Sequence, residues 1–572
     1  MFLKLKFTVL ISFLSIYVFS QENEIFQDLE KKKVTIFGGL ESNSQWYLND
    51  NKMQINAGDL TNDEQIRSNN YLLVNGKYGN FSSGIQIESY EPNALLNYNP
   101  KFEGTNVGTW YVDYKTNKFQ ITGGYFYEQF GSGMILRNWE DRAIGINNSI
   151  RGVRAKFTPN KNIALTALYG RQRTGFDVSD GDIYGFDSTF GLSEALNLES
   201  SDLTFGFSAV GREEEIPYQD VNFKKLTGAI SSRLDYSSNS FYSSFEYSLK
   251  SNDGILDTKF KLIPDFVKPG NAFLFNFGFA KSGLGVDLTL RRVENMTFLS
   301  ERIPESYNSD LSSFQVNDKI LNFVPALTKQ HHFNLANIYV HQAQYRVDFI
   351  DAQIMKAGET GGQIDVFYNF KKGSKLGGKY GTKLAVNYAS WYNLPGEYGY
   401  NPPQYKTNFF GVSQKYFSDF NIEVTKRLNK KVHGSLMYIN QYYDQRLISG
   451  GYLVKTHIIG VETTIKLKGT QSIRVQGEHM WADHDMENWA GGTLEYNFNS
   501  KLSFYAFDLY NYGNPDEKKQ THFYSFGSSY RKGSTRIALN YGRQRGGLVC
   551  VGGVCRVVPE SKGLSLTLTK SF

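Results

Sequence analysis

Apolar and polar residues alternate with a period of two along many stretches of the chain. The C-terminus shows this most clearly, because Leu564, Leu566, Leu568 and Phe572 share one phase and Lys570 is the one charged residue among them. A period of two places successive side chains on opposite faces of a β-strand. The pattern recurs in segments that begin at Leu226, Phe241, Leu284, Ile459 and Ile473. The sequence therefore predicts an all-β protein.

The polar phase of these strands carries charges of both signs. The charged residues in this phase include Arg233, Asp235, Asp287, Arg291, Glu423, Arg427, Glu462, Lys466, Arg474 and Glu478. The packed core of a β-sandwich does not tolerate unpaired charges, whereas a water-filled lumen does. One apolar and one polar face along each strand is the pattern of a transmembrane β-barrel. No single sign of charge dominates, so this phase does not indicate ion selectivity.

Short and long links alternate between the predicted strands. Tight links are predicted at 78–80, 116–117, 159–161, 237–239, 429–431, 468–469, 499–500 and 532–533, and longer ones at 49–68, 91–105, 172–180, 251–270, 294–361 and 393–414. Short periplasmic turns and long extracellular loops are typical of outer-membrane barrels, and they require an even number of strands. Interpreting Asp182 to Leu192 as a descending strand preserves the alternation. We expect a large antiparallel barrel of about 24 strands, in a range of about 20–28.

The N-terminus predicts export. Lys4 and Lys6 precede an apolar run from Phe7 to Phe19, which is typical of a secretory signal peptide. We assign residues 1–20 to the signal peptide, 21–32 to a short periplasmic segment and 33–572 to the barrel. The segment 21–32 is too short for the plug domain of a TonB-dependent receptor.

The two cysteines, Cys550 and Cys555, flank Gly552-Gly553. A two-residue Gly-Gly link suits a tight β-hairpin turn. The cysteines would then face each other in a non-hydrogen-bonded pair, within disulfide range. An exported protein meets an oxidising compartment, so we expect a structural disulfide on an extracellular hairpin.

The segment after Tyr125 departs from strand alternation at Gly131. Glycines at 131 and 133 allow a sharp bend, and charges of both signs follow. One interpretation is a loop that folds inward and narrows the pore, and the other is an ordinary exposed loop. The candidate constriction residues are Arg137, Glu140, Asp141, Arg142, Arg151 and Arg154.

Motifs of common enzymes are missing from the sequence. We find no GxSxG elbow, HExxH helix or P-loop, so we expect no enzyme activity, no catalytic residues and no cofactor. The stretch from Glu478 to Asp485 mixes histidines with acids, but a solvated loop explains it better than a metal site, and no metal is expected. No basic patch with interleaved aromatics indicates nucleic-acid binding.

The strand before Phe130-Gly131-Ser132-Gly133, the arginine-rich stretch around Trp139 and Arg151-Gly152-Val153-Arg154 resemble large porin-like and alginate-export-type barrels. The whole mature chain more closely resembles an uncharacterised family of large Gram-negative outer-membrane barrels, in which the Cys-Val-Gly-Gly-Val-Cys-Arg hairpin precedes a Phe-terminated strand. This resemblance implies the fold and names no substrate.

The sequence thus predicts a cell outer-membrane channel or transport barrel with a loop-restricted lumen. The alternatives are a closed scaffold that binds partners of a secretion or assembly machine, and a barrel enzyme. The expected partners are outer-membrane lipid, other envelope proteins and the outer-membrane assembly machinery, for which Phe572 is the predicted signal.

Overall fold

A computed structural model describes residues 33–61, 63–99, 101–215, 224–256, 262–302, 319–351, 354–448, 450–551 and 554–572. The predicted signal peptide 1–20 and segment 21–32 lie outside the described residues. The main sheet has 24 strands. They are β1 Thr35–Tyr47, β2 Ile66–Tyr78, β3 Phe81–Glu91, β4 Gly104–Lys115, β5 Phe119–Phe126, β6 Ile150–Asn160, β7 Ile163–Thr174, β8 Asp177–Gly191, β9 Ser201–Glu213, β10 Leu226–Ser238, β11 Phe241–Leu256, β12 Leu262–Lys281, β13 Leu284–Glu294, β14 Gly358–Phe370, β15 Thr382–Tyr392, β16 Lys415–Arg427, β17 Val432–Asp444, β18 Leu453–Lys466, β19 Ser472–Ala482, β20 Trp489–Asn497, β21 Leu502–Tyr510, β22 His522–Lys532, β23 Thr535–Gln544 and β24 Ser561–Ser571.

The sheet closes into a barrel. Each strand pairs antiparallel with the next along the chain, and β1 pairs with β24 through a ladder that includes Ser42 and Leu568. The predicted all-β antiparallel barrel is confirmed, and so is the predicted number of strands. Beyond the last paired position, the Gly38 N–H donates to the Phe572 carbonyl at 3.0 Å, and the Phe572 N–H donates to the Gly38 carbonyl at 3.1 Å. Phe572 therefore takes part in closure, and its role as an assembly signal stays a prediction.

Smaller elements lie in the connections on the long-loop side. They are an α-helix at Ala57–Thr61, 3-10 turns at Leu335–Asn337, Gln445–Leu447 and Glu517–Lys519, and two-stranded hairpins Glu140–Asp141 with Ile146–Asn147, Asp348–Asp351 with Ile354–Lys356, Gly396–Tyr400 with Pro403–Thr407, and Gly547–Val551 with Val554–Val558. Among the described residues, no helix is long and apolar enough to cross a bilayer.

The two faces of the strands have opposite environments. In β18, Ile459 and Val461 are 41% and 48% exposed, whereas Ile458 between two outward positions is fully buried. In β11, Phe245 and Leu249 are exposed while the intervening Glu246 is buried. The apolar phase thus faces outward, toward lipid, and the polar phase faces the lumen, as the alternation predicts.

Two predicted long links are wrong. The link at 172–180 is a turn of two residues, because β7 continues to Thr174 and β8 begins at Asp177. The link at 251–270 is mostly strand, because β11 runs to Leu256 and β12 begins at Leu262. Strands that extend beyond the bilayer keep their backbone pairing but need no apolar outer face, so their polar sequences look like loops.

The cysteine hairpin lies in the connection between β23 and β24, on the side of the long loops. Its register pairs Cys550 with Cys555, as the Gly-Gly spacing predicts. Cys555 is buried, and Arg556 beside it donates hydrogen bonds to the carbonyls of Asn97 and Gly145, each at 3.3 Å. The hairpin is thereby held against the extracellular side of the barrel. The side chain of Cys550 and the Gly-Gly turn lie outside the described residues.

We expect Cys550 and Cys555 to be linked in the mature protein. Mass spectrometry of peptides prepared without reduction should recover the two cysteines in one cross-linked peptide. Replacing both with serine should change barrel stability little, because the loop that the bridge closes is short and loop-closure entropy grows with length. Two free thiols in protein taken from the outer membrane would refute the prediction.

Candidate functional site

Two extracellular connections fold inward and contact lumen-facing residues of the barrel wall. They are residues 127–149, between β5 and β6, and the described parts of the connection between β13 and β14, residues 295–302 and 319–347. We call these residues the plug. Their polar contacts reach inward positions on β1, β3, β7, β11, β16, β17 and β19, so the plug spans the lumen from wall to wall.

The first plug segment turns inward at two glycines. Gly131 and Gly133 have φ values of +53° and +94°, a region that favours glycine. The neighbouring Ser132 N–H donates to the Glu246 carboxylate of β11 at 2.9 Å. A Cβ at position 131 would lie 2.9 Å from the same carboxylate. The glycines therefore permit both the bend and the close approach to the wall.

Arg142 carries this segment to the opposite wall. Its guanidinium donates to Glu41 of β1 at 2.6 Å and to Gln86 of β3 at 3.1 Å, and it lies 4.1 Å from the ring centre of Tyr71. Glu140 accepts a third hydrogen bond from it at 2.9 Å. Burial lowers the pKa of Arg142, but the two carboxylates outweigh burial and raise it above its ordinary value. Arg142 therefore stays charged and fastens the plug to the wall.

Two further predicted residues, Arg137 and Asp141, lie in this segment. The guanidinium of Arg137 stacks over the ring of Phe323 in the second plug segment, 3.7 Å from its centre. Asp141 accepts hydrogen bonds from the N–H groups of Ala143 and Ile144 and so shapes a local turn. Arg137 thus joins the two plug segments, Glu140 and Arg142 form the contact with the wall, and Asp141 acts within its own loop. That these residues restrict a permeation path stays a prediction.

The two arginines of β6 do not share a face. Arg154 lies on the lumen phase and contacts Glu128 at 3.2 Å. Arg151 has the outward parity of Val153 and Phe157, which are 50% and 45% exposed. The structure therefore does not bring Arg151 into the lumen, and its place among the constriction candidates is corrected. Because β6 begins at inward-facing Ile150 and successive residues of a strand point to opposite faces, the next residue, Arg151, points outward.

The second plug segment packs on one side of the lumen through an apolar cluster. Leu321 and Phe298 are buried against Met134 and Ile135 of the first segment and against wall residues such as Val293. At the edge of this apolar cluster, the side chain of Gln172 on β7 donates a hydrogen bond to the Ile320 carbonyl at 2.8 Å. Asn322 donates to the carbonyls of Met134 and Met296. The two plug segments therefore form one packed body.

The same segment reaches the other side of the lumen at residues 329–339. Phe333 and Tyr339 pack against aromatic and aliphatic side chains of β15 to β22, among them Trp391 and Trp489. Gly460 makes room for this contact, because a Cβ there would lie 2.4 Å from the Phe333 ring. These wall residues lie in the extracellular half of their strands, which places the plug there.

Polar groups anchor residues 329–339 to the wall. Glu478 of β19 accepts hydrogen bonds from the N–H groups of Asn334 and Leu335, at 3.2 and 2.7 Å. His331 Nε2 lies 3.0 Å from a carboxylate oxygen of Asp419 on β16. Lys329 donates to Asn421 on the same strand at 3.0 Å.

A buried ionic cluster joins the plug to four adjacent strands. Arg291 of β13 pairs with Glu359 of β14, and both side chains are fully buried. His341 of the plug lies 3.0 Å from the second oxygen of Glu359, and the Gln344 N–H donates to that oxygen at 2.8 Å. The His341 ring stacks against Trp391 of β15 and Phe417 of β16. We call Arg291, Glu359 and His341 the latch.

Lys356 lies next to the latch, in the hairpin that leads into β14. Its ammonium donates to Gln344 at 2.5 Å and to the Ile448 carbonyl at 3.2 Å. Burial lowers its pKa to about 8, against the opposite effect of Asp348. Lys356 thus holds the end of the plug through hydrogen bonds on the extracellular side of the barrel.

The latch was only partly visible in the sequence. Arg291 falls in the polar phase of a predicted strand, but Glu359 and His341 fall in the predicted 294–361 link. The alternation around Gly358 is the signal that could have revealed Glu359, because it indicates that β14 begins before the predicted 294–361 link ends.

The stretch from Glu478 to Asp485 does not converge on one point. Glu478 faces the plug, His479 contacts Tyr512, and Asp485 accepts a hydrogen bond from Tyr339. Among the described residues, no group of three or more His, Cys, Asp or Glu side chains could hold a metal ion.

A closed antiparallel barrel with an apolar outer surface and a polar phase that faces the lumen defines the class of outer-membrane β-barrels of Gram-negative bacteria. The chain belongs to DUF6029, a family of unknown function, whose model matches residues 3–572. No curated protein matches the chain.

Solved outer-membrane barrels show low similarity to the chain. The siderophore receptor PirA from Pseudomonas aeruginosa is 8% identical, with 95% of this chain and 81% of that chain covered and a TM-score of 0.40. The P pilus usher PapC translocation pore is 9% identical, with 94% and 99% covered and a TM-score of 0.40. A BenF-like porin from Pseudomonas fluorescens Pf-5 is 8% identical, with 95% and 99% covered and a TM-score of 0.36.

Proposed function

We propose that the protein is an outer-membrane transport barrel whose lumen is closed by its own plug and opens when the plug moves. The observation that carries the proposal is the polar character of many plug–wall contacts. Arg142 with Glu41, Ser132 with Glu246 and Lys329 with Asn421 all join a plug residue to an inward strand position. Water can replace such contacts when the plug shifts, which is not true of purely apolar packing.

The contact of Arg142 with β1 and β3 is the part of the plug most easily released. The side chains of Arg142 and Glu41 are 26% and 28% exposed. Water reaches and screens this pair, so it contributes less than a fully buried pair would. The latch, by contrast, is fully buried. We infer that the contact of Arg142 with β1 and β3 opens before the latch does, and that Arg137, Glu140, Asp141, Arg142 and Arg154 line the narrowed path.

Replacing residues 131–148 with a short glycine linker tests this function. Phe126 and Ile150 are paired across β5 and β6, so the shortened connection still joins adjacent strand ends. Proteoliposomes with this variant should admit larger solutes than proteoliposomes with the wild type, because the bridge to β1 and β3 is gone.

The matched control places the same linker at residues 515–519, which are exposed in the connection between β21 and β22. This control should behave like the wild type. A 131–148 variant that assembles normally yet admits no additional solute would show that this segment is not the main constriction.

One observation favours a closed scaffold instead. The second plug segment is packed in two apolar clusters that include fully buried Leu321 and Phe333, and moving it would expose this surface at about 25 cal/mol per Å². A scaffold predicts that no solute passes even when the first segment is removed.

A further inference from the structure

A cationic cavity lies at the periplasmic ends of β12 to β18, the end of the barrel opposite the plug contacts. Its volume is about 670 Å³. Seven lysine and arginine residues and one histidine line it, and no aspartate or glutamate does: Lys371, Lys372, Lys383, Arg427, Lys430, Lys431, Lys466 and His433. We call this cavity the vestibule.

Three of the cations belong to the inner face of the barrel wall. Lys383 has the parity of Asn387, which hydrogen bonds to the inward Asp365. Arg427 has the parity of Asp419, the wall partner of the plug. These positions alternate with outward apolar residues, so their side chains face the lumen.

Lys466 completes this inner set. It has the parity of Ile458 and Glu462 in β18, whereas Ile459 and Val461 face outward. The vestibule therefore opens into the lumen from the periplasm and does not face the bilayer.

These charges have no ionic partner within the described chain. None of the seven lysine and arginine side chains forms an ion pair with a described residue, and the Arg427 guanidinium donates only to the carbonyls of Asn429 and Lys430. The nearest inward-facing acids on these strands have other partners, farther from the periplasmic end. Asp365 accepts a hydrogen bond from Asn387, and Glu423 lies 3.6 Å from Lys329. Like charges around one concavity repel one another and create a strong positive potential. A multivalent anion would relieve that repulsion.

The shape indicates a small solute. A cavity of this volume is within the usual range of small-molecule sites, about 300–1,000 Å³. The ring of Tyr380 lies 5.1 Å from the Arg427 guanidinium and fixes one wall of the cavity. Arginine and lysine together suit phosphate and carboxylate oxygens, which accept charge-assisted hydrogen bonds.

We propose that the vestibule binds a small multivalent oxyanion from the periplasm, and that this anion class is what the barrel transports. The transport part rests on the function proposed above, whereas binding does not. Lumen-facing Lys383, Arg427 and Lys466 make a soluble anion the occupant, in preference to the headgroup of a lipid.

Isothermal titration of the purified full-length protein in neutral detergent tests the binding. Tripolyphosphate is the probe, at constant ionic strength because exposed charges are screened by salt. The vestibule variant carries Lys383→Gln, Arg427→Gln and Lys466→Gln. The control variant carries Lys406→Gln, Lys455→Gln and Lys518→Gln, which removes the same charge from exposed sites on the extracellular side.

We expect the wild type and the control variant to bind tripolyphosphate alike, and the vestibule variant to bind it about tenfold or more weakly. Equal binding by all three proteins, or no binding by the wild type, would overturn the proposal. A second arm compares wild-type protein in nanodiscs of phosphatidylcholine with and without phosphatidylglycerol. If anionic lipid abolishes tripolyphosphate binding, the site is a headgroup site and the soluble-anion proposal fails. Binding without any solute flux would retain the vestibule and refute the transport function.

Discussion

Cells that express a barrel without residues 296–356 should become sensitive to large antibiotics that the outer membrane normally excludes. Glu294 and Gly358 are paired at the ends of β13 and β14, so a short glycine-containing turn can join the two strands without disturbing the wall. The variant loses the second plug segment, including Leu321, Phe333 and His341. A barrel of more than about 16–18 strands without filling leaves a wide aqueous channel, and we expect the inhibitory concentration to fall about tenfold or more.

The control for this variant is the 515–519 linker described above, which alters an extracellular loop outside the lumen. Equal amounts of folded barrel in the membrane, judged by heat-modifiable migration on gels, make the comparison valid. Unchanged resistance in a properly assembled 296–356 variant would mean that something other than this segment closes the lumen.

Glu359→Gln should cause the largest loss of stability of any single substitution in the latch. The change leaves the fully buried Arg291 without its counter-charge and leaves one acceptor oxygen where Arg291, His341 and the Gln344 N–H share two. Breaking a buried ion pair by removing one partner costs about 3–5 kcal/mol. We expect a lower unfolding midpoint in urea and faster tryptic cleavage in the plug, for example after Lys329 or Arg346.

Two further variants test whether the loss of stability comes from the broken ion pair of the latch. Glu194→Gln changes an exposed carboxylate that pairs with Lys161, and it should not shift the midpoint measurably. Adding Arg291→Met to Glu359→Gln should recover part of the loss, because it removes the uncompensated buried charge. If Glu359→Gln unfolds like the wild type, the latch does not hold the plug.

The sequence predicts the wall of the barrel well. Alternation at Leu566, Ile459 and Phe245 identifies both the strands and the side that faces lipid, because a bilayer imposes an apolar residue at every second position. That constraint ends where strands leave the membrane. The sequence pattern therefore does not predict that β7 continues beyond position 172 or that β11 continues to Leu256.

The interior of the lumen is much less predictable. Arg142 and Glu41 are separated by 101 positions, and Arg291 and Glu359 by 68. Local pattern shows that lumen charges have mixed signs, but the pairing depends on which strands become neighbours and on how a long connection folds back. Arg474, for example, pairs with Glu462 and Glu495 on the two adjacent strands. Arg154 and Arg151 likewise lie on opposite faces of β6, the first facing the lumen and the second facing outward, because an odd number of positions separates them.

Single-channel recording in planar bilayers tests the central claim most directly. The wild type and the 296–356 variant are inserted at equal amounts into the same lipid and compared under the same voltage. We expect the wild type to be closed for most of the recording, with discrete openings, and the variant to conduct continuously at a much higher level. A folded 296–356 variant that carries no current would contradict the account, because it would show that the barrel is not a transport route closed by its plug.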